Sequence, residues 1–215
     1  MQTRVRDNIE KSAGSLELLR PDGSSSRLAT VWAERPVVLA LVRHFGCIFC
    51  KEQVSALREI VSDIHDAGAE LVIVGSGSPQ MAGFFAEDYA ITTPVLTDPL
   101  RAVYRALELR RPSRFAFLDP RALVPGLRAF VHGHRQQFAR MDELGDQAQL
   151  GGVFIVRPGG DVAWAHRSAF AGDHPANDSI LGALHRIMPL HARLDVDLDS
   201  TVRGLGSRPS YVHHD

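Results

Sequence analysis

Two continuous apolar runs constrain this chain more than any other feature. Pro36–Arg43 reads PVVLALVR and Ala69–Gly77 reads AELVIVGSG. Neither alternates apolar with polar residues, so each predicts a strand buried on both faces, as in a parallel sheet. Between them, from Cys50 to Ala67, apolar residues fall at Val54, Leu57, Val61 and Ile64. That spacing makes one helical stripe, which Gly68 ends. Strand, helix, strand is a crossover unit, and parallel crossovers are right-handed.

The rhythm continues beyond it. PQMAGFFAEDYA from Pro79 predicts a short helix, Pro94–Asp98 a strand, and Pro99 to about Leu107 another helix. From about Arg110 to Leu150 the pattern breaks. PRALVPGLRAFVHG predicts a helix interrupted at Pro125-Gly126, and polar sequence follows. GGVFIVRPGGDVAWAH then predicts strands Val153–Val156 and Val162–His166 joined by a Pro158-Gly159-Gly160-Asp161 turn. A last helix is predicted from about Pro175 to Leu190. Near the start, Ser15–Leu19 and Arg27–Trp32 read as two short strands around Asp22-Gly23. The expected fold is α/β and thioredoxin-like, with a mixed central sheet flanked by helices. It carries an N-terminal hairpin and an insertion before the C-terminal β-hairpin. The corresponding division is an extension and hairpin over 1–34, a thioredoxin-like domain over 35–192 with the insertion at about 110–150, and a tail over 193–215.

The formal net charge of -1 provides no field for nucleic acid or anionic membrane. The first residues, MQTRVRDNIEKSAGS, lack the apolar core of a secretory signal. No run approaches the ~18 apolar residues of a membrane span. A cytoplasmic protein is expected, with no nucleic-acid or membrane partner and with its oligomeric state open between monomer and homodimer. Nine arginines lie between Arg101 and Arg140 against Glu108 and Asp119, either a solvated face or a site for an anionic substrate.

The chain has two cysteines, Cys47 and Cys50, in HFGCIFCKE. In a reducing compartment such a pair is a candidate for catalysis or metal binding rather than a structural staple. Structural zinc needs four ligands, which here would have to include His44, His132 and His134. No second cysteine pair exists, so the expectation is no metal. Two inert buried thiols are the remaining alternative. Redox chemistry suits the position best. Cys47 falls between a strand and a helix, where free N–H groups and the dipole favour a thiolate, and Cys50 follows one turn later on the same face. Cys47 is expected to be the more exposed and reactive, with Cys50 closing the disulfide.

The stretch LVRHFGCIFCKEQVSALREI resembles the AhpC/TSA-type peroxiredoxin-like proteins of the thioredoxin-fold superfamily. LVIVGSGSP, VLTDPLRAVYRAL, GDQAQLGGVFIVRPGG and AHRSAFAGDHPAND follow in the family's order. The resemblance implies a thiol-dependent peroxidase or reductase, acting on a peroxide, an endoperoxide (as in prostaglandin F synthases) or a disulfide. It implies no bound cofactor, a small oxidised substrate, and thioredoxin or a low-molecular thiol as external reductant. A redox-sensing module without turnover is the alternative, as is an oxidoreductase specialised for a secondary metabolite. The Pro-x-x-x-Thr-x-x-Cys frame of true peroxiredoxins does not fit. Set on Cys50 it meets Arg43 and Cys47; set on Cys47 it meets Ala40 and His44.

Topology nominates the supporting residues. Arg43 and His44 flank the strand end, and His44 is either a proton shuttle or a structural histidine. Gln149, Gly151 and Gly152 begin the first hairpin strand, where glycine permits either close backbone approach or a tight turn. Arg167 and His174 follow the second. Both are candidates to meet a thiolate or oxyanion, with helix capping or surface placement the stronger reading of His174.

Overall fold

The computed structural model describes residues 13–112, 120–122, 125, 127, 131 and 141–188. Most of the predicted insertion helix, His132, His134, residues 1–12 and the tail over 193–215 lie outside the described residues.

The apolar run at the centre becomes β3 (Val37–Leu41), in which all five residues are buried. Its alternate side chains enter two cores. Val37, Leu39 and Leu41 meet Leu28, Trp32, Val103 and Tyr104 on one face. Val38 and Ala40 meet Leu57, Ile64, Ile180 and Leu184 on the other. β3 pairs in parallel with β4 (Glu70–Gly75), which pairs in parallel with β5 (Val95–Thr97). On its other side β3 pairs antiparallel with β6 (Gly152–Arg157), and β6 with β7 (Asp161–Arg167). The N-terminal hairpin, β1 (Glu17–Leu19) and β2 (Ser25–Arg27), extends the far edge through β5. The sheet order is β2-β1-β5-β4-β3-β6-β7. The mixed sheet, the parallel crossovers and the antiparallel C-terminal hairpin agree with the expected fold.

Helices α1 (Ile48–Glu59) and α2 (Val61–Asp66) follow β3. The single predicted helix is therefore two. At Ile60 the N–H reaches Leu57 O at 3.2 Å, a tighter step that turns the chain while Leu57, Ile60 and Ile64 stay on the same core. Helix α3 (Pro79–Asp88) starts as its sequence dictates, with the Ser78 hydroxyl accepting from the Met81 N–H at 3.3 Å and proline in the first turn. Helix α4 (Ala102–Ala106) is shorter than predicted. Arg101 adopts a left-handed conformation, φ 57°, and the Asp98 carboxylate takes the Val103 N–H at 2.8 Å. A short α5 (Met141–Leu144) precedes β6, and α6 (Asn177–Ile187) closes the fold. No helix among the described residues is long and apolar enough to cross a membrane.

One predicted strand is not a strand. Leu28–Trp32 forms a 3₁₀ helix. Its buried residues are Leu28 and Trp32, four apart, which a strand would also place on one face together with Thr30. The helical turn instead frees the Thr30 hydroxyl to bond Arg27 O at 2.7 Å.

Beyond their last residues β3 and β4 remain tied: Val42 N–H donates to Val74 O at 2.8 Å. The buried Tyr104 hydroxyl lies 2.6 Å from Val42 O and 3.1 Å from Val74 O. Opposite, β6 presses on the end of β3. A Cβ at Gly151 would lie 2.2 Å from Leu41 O. Backbone cannot yield as a flexible side chain can. Gly151→Ala is therefore expected to destabilise the protein by about 2 kcal/mol or more. The check is the midpoint of denaturant unfolding, with Gly159→Ala, whose Cβ would meet nothing within 4 Å, reporting the cost of a positive φ (82°) alone.

Candidate active site

β3 hands the chain to α1 across Val42–Gly46, and Cys47 is the N-cap of α1. Cys50 lies in the first turn. Both cysteines are free thiols at 0% exposure, so Cys47 is not the more exposed of the two. They are enclosed by Val42, Phe45, Val54, Met81, Phe85 and Leu144, a core at the C-terminal end of the sheet. Phe45 reaches over β4 because residue 75 is glycine; a Cβ there would lie 2.3 Å from its ring.

Arg43 organises this end of the sheet. Its Nη1 lies 3.4 Å from Cys47 Sγ. Its Nε donates to Gln149 O at 3.1 Å, and its Nη2 donates to Gln147 O. Its own backbone N–H points at Cys50 Sγ, 3.2 Å away. One residue thus touches both sulfurs, with its side chain on Cys47 and its backbone on Cys50.

The two thiols are unequal as a result. Burial pushes the Cys47 thiol up, but a hydrogen bond from Cys50, the Arg43 charge and His44 together outweigh it and hold it well below the ordinary thiol range. Cys50 goes well above that range, through burial, the hydrogen bond it gives to Cys47 and the adjacent thiolate charge. The Cys47 side chain makes no cap hydrogen bond to the first turn of α1. Cys50 and Arg43 thus act on the Cys47 sulfur in addition to its position at the helix start.

The other nominated residues separate. His44 is buried beside the motif, and its Nδ1 has no hydrogen-bond partner. Gln149 serves through its backbone. Its side-chain amide turns away to Arg110 O at 3.2 Å and Leu150 O at 3.0 Å. Gly151 and Gly152 admit the protein's own backbone, at Leu41 O and His166 O. Arg167 is not brought to the cysteines: its Nε donates to Leu107 O at 2.9 Å, and its guanidinium lies 5.2 Å from the Phe154 ring, in the opposite core. His174, read from sequence as a cap or surface residue, instead binds the motif. Its Nε2 lies 3.1 Å from Phe49 O, while the N-cap of α6 is Ala176.

Residues that were not nominated complete the site. Gln147 supplies a carbonyl to Arg43. The Ser76 hydroxyl donates to Arg43 O at 2.7 Å and accepts from Asp146 N–H at 3.2 Å. Asp146 pairs with Arg101 and Arg111. An acidic residue following a glycine just before a strand is a turn signal in sequence, and nothing in it points to Arg43. Among the described residues no group of three or more His, Cys, Asp or Glu could hold a metal ion.

The family model for AhpC/TSA antioxidant enzymes matches residues 56–169, over half of the chain. The chain belongs to the AhpC/TSA family. The match begins just after the two cysteines and does not include them. Among curated relatives, the thioredoxin-like protein AAED1, chloroplastic, of Arabidopsis thaliana is 31% identical over 80% of this chain and 71% of its own length. Prostamide/prostaglandin F synthase of Salmo salar is 26% identical, covering 86% of this chain and 90% of its own. Peroxiredoxin Q of Xanthomonas campestris is a solved structure with the same fold, at a TM-score of 0.60 and 18% identity, covering 83% of this chain and 95% of its own. This AhpC/TSA protein thus has the thioredoxin-type scaffold of peroxiredoxins, with its two cysteines in one turn.

The neutral imidazole of His174 offers a test of the site's packing. Burial lowers its pKa to about 4, against the opposing pull of Cys47, Glu52 and the Phe49 carbonyl. The unfolded chain binds this proton at the ordinary value of 6.5. The contribution is present above that value and is lost as pH falls toward about 4. Unfolding free energies of the wild type and His174→Gln should therefore diverge less at pH 4 than at pH 7, by up to about 3 kcal/mol.

Proposed function

We propose that the chain is a thiol-dependent oxidoreductase of peroxiredoxin-like type, with Cys47 as nucleophile and Cys50 as resolving thiol. The observation that carries this reading is the Arg43 guanidinium on Cys47 Sγ, which together with the hydrogen bond from Cys50 favours a thiolate at Cys47. The Cys47 thiolate attacks a peroxide oxygen. An S–O bond forms, the O–O bond breaks, and the departing oxygen takes a proton from the buried His44. The Cys50 thiol then attacks Cys47 sulfur, forming the disulfide and releasing water with its proton. With an endoperoxide the second oxygen stays in the product, and Cys50 displaces it as an alcohol; with a disulfide substrate the intermediate is a mixed disulfide. No bound cofactor enters the cycle. Thioredoxin or a low-molecular thiol returns the two electrons, in a reducing compartment that we take to be the cytoplasm. Endoperoxide reduction draws support from the name of the Salmo salar relative, peroxide reduction from the family description.

Full burial of both sulfurs supports a second reading, a redox switch that oxidises once without turnover. NADPH consumption coupled through thioredoxin separates the two, with hydrogen peroxide, an organic hydroperoxide and a disulfide compared side by side. Sustained consumption with at least one oxidant is expected; a single stoichiometric oxidation with all three assigns the switch. Cys47→Ser should reduce turnover to background. Cys50→Ser should leave Cys47 alkylable and trapped after oxidant as a sulfenic acid or mixed disulfide, visible by intact mass. If Cys50 is instead the residue alkylated first at pH 6, the roles are reversed.

A further inference from the structure

We propose that Asp146 is a positioning residue for Cys47: it holds the turn from Gly145 to Gln149 in place, and that turn keeps two backbone carbonyls on Arg43 and Arg43 on the Cys47 sulfur. The inference rests on the reading of Cys47 as nucleophile.

Asp146 is anchored on every side. Its Oδ2 meets Arg101 Nη1, at the start of α4, and Arg111 Nε at 2.6 Å, beyond the end of α4. Its Oδ1 accepts Ala148 N–H at 2.9 Å, folding the turn on itself. Its carbonyl accepts Gln149 N–H at 3.1 Å. Its N–H donates to the Ser76 hydroxyl, which in turn donates to the carbonyl of Arg43. The carboxylate is mostly shielded, with 12% of the side chain exposed. The turn so fixed presents Gln147 O and Gln149 O, the two carbonyl partners of the Arg43 side chain. A guanidinium's donors leave in a fixed planar fork. Two carbonyls in fixed positions therefore aim the third edge, Nη1, and here they aim it at Cys47.

Asp146→Asn tests this without changing size. Asparagine keeps an acceptor for Ala148 N–H but cannot hold two arginines, so the turn loosens. The charge change itself works the other way. Removing a negative charge and leaving Arg101 and Arg111 uncompensated favours a thiolate through space, so a purely electrostatic role lowers the Cys47 pKa. A positioning role raises it. The titratable groups that face Cys47 are Arg43, His44, Cys50, Lys51 and His174, and none is altered in the variant.

The experiment is the pH dependence of iodoacetamide alkylation at Cys47, mapped by peptide mass, in the wild type, Asp146→Asn and the uncharged variant Ser76→Ala. The wild type should titrate well below ~8.5, the value of a free thiol. Asp146→Asn should titrate ~1 unit higher, the low end for displacing an opposite charge. That slows alkylation at pH 6 by about threefold once the greater nucleophilicity of a more basic thiolate is counted. Ser76→Ala should move the same way by less, and it decides the matter if Asp146→Asn fails to fold. A low wild-type value with both variants unchanged, or shifted down, overturns the inference and leaves the proposed function standing. A wild-type Cys47 that titrates like a free thiol overturns the proposed function itself.

Discussion

A permanent positive charge sits at the end of a strand buried on both faces, and this end of the sheet is arranged around it. A half-buried guanidinium needs partners for its donors and favours a nearby counter-charge. Two carbonyls from the turn before β6 meet the first need, at Gln147 and Gln149. Cys47 Sγ lies within reach of Arg43 Nη1, where a thiolate would meet the second. Cys50 adds a donor to the same sulfur, and its own sulfur rests on the Arg43 backbone N–H. The asymmetry of the pair thus has two sources at the Cys47 sulfur, the Cys50 hydrogen bond and the Arg43 charge.

The same enclosure limits the chemistry. Both sulfurs are closed from solvent, and the segment after β7 presses on the motif through Gly172, where a Cβ would lie 2.9 Å from the Phe49 ring, and through His174 on the Phe49 carbonyl. In the proposed cycle the charge beside Cys47 favours the nucleophile, and the closure limits access to it. Family membership settles the scaffold, not the substrate. The relatives illustrate this, since one carries the name of a prostaglandin F synthase and another only that of a thioredoxin-like protein.

Much of the fold was legible because burial on two faces leaves an unmistakable trace. PVVLALVR and AELVIVGSG, bounded by proline and glycine, pointed to central strands, and the three-and-four spacing from Val54 to Ile64 pointed to a helical stripe. The failures have physical causes. RLATVW was read as a strand because Leu28 and Trp32 share a face in either conformation, and only their surroundings and the Thr30 hydrogen bond select the helix. The helix through Ile60 divides where no glycine or proline announces it. Arg167 was placed at the motif by topology, but its side chain turns to the opposite face of the sheet and meets Leu107 O and Phe154. A strand's register states where a Cα lies, not which way a long side chain leans.

The sequence by itself determined that the chain would build a parallel crossover, place two cysteines one turn apart at its mouth, and add an antiparallel hairpin before its last helix. These are consequences of local periodicity and spacing, which one segment carries alone. Only the tertiary structure decided that Cys47 is buried, that Cys50 and Arg43 both act on its sulfur, and that His174 binds the motif. Each of those depends on groups far apart in the chain: Arg43 meets carbonyls over a hundred residues away, and His174 meets Phe49 from a similar distance. Desolvation and hydrogen bonding at a sulfur depend on everything that surrounds it, and no stretch of sequence contains its own surroundings.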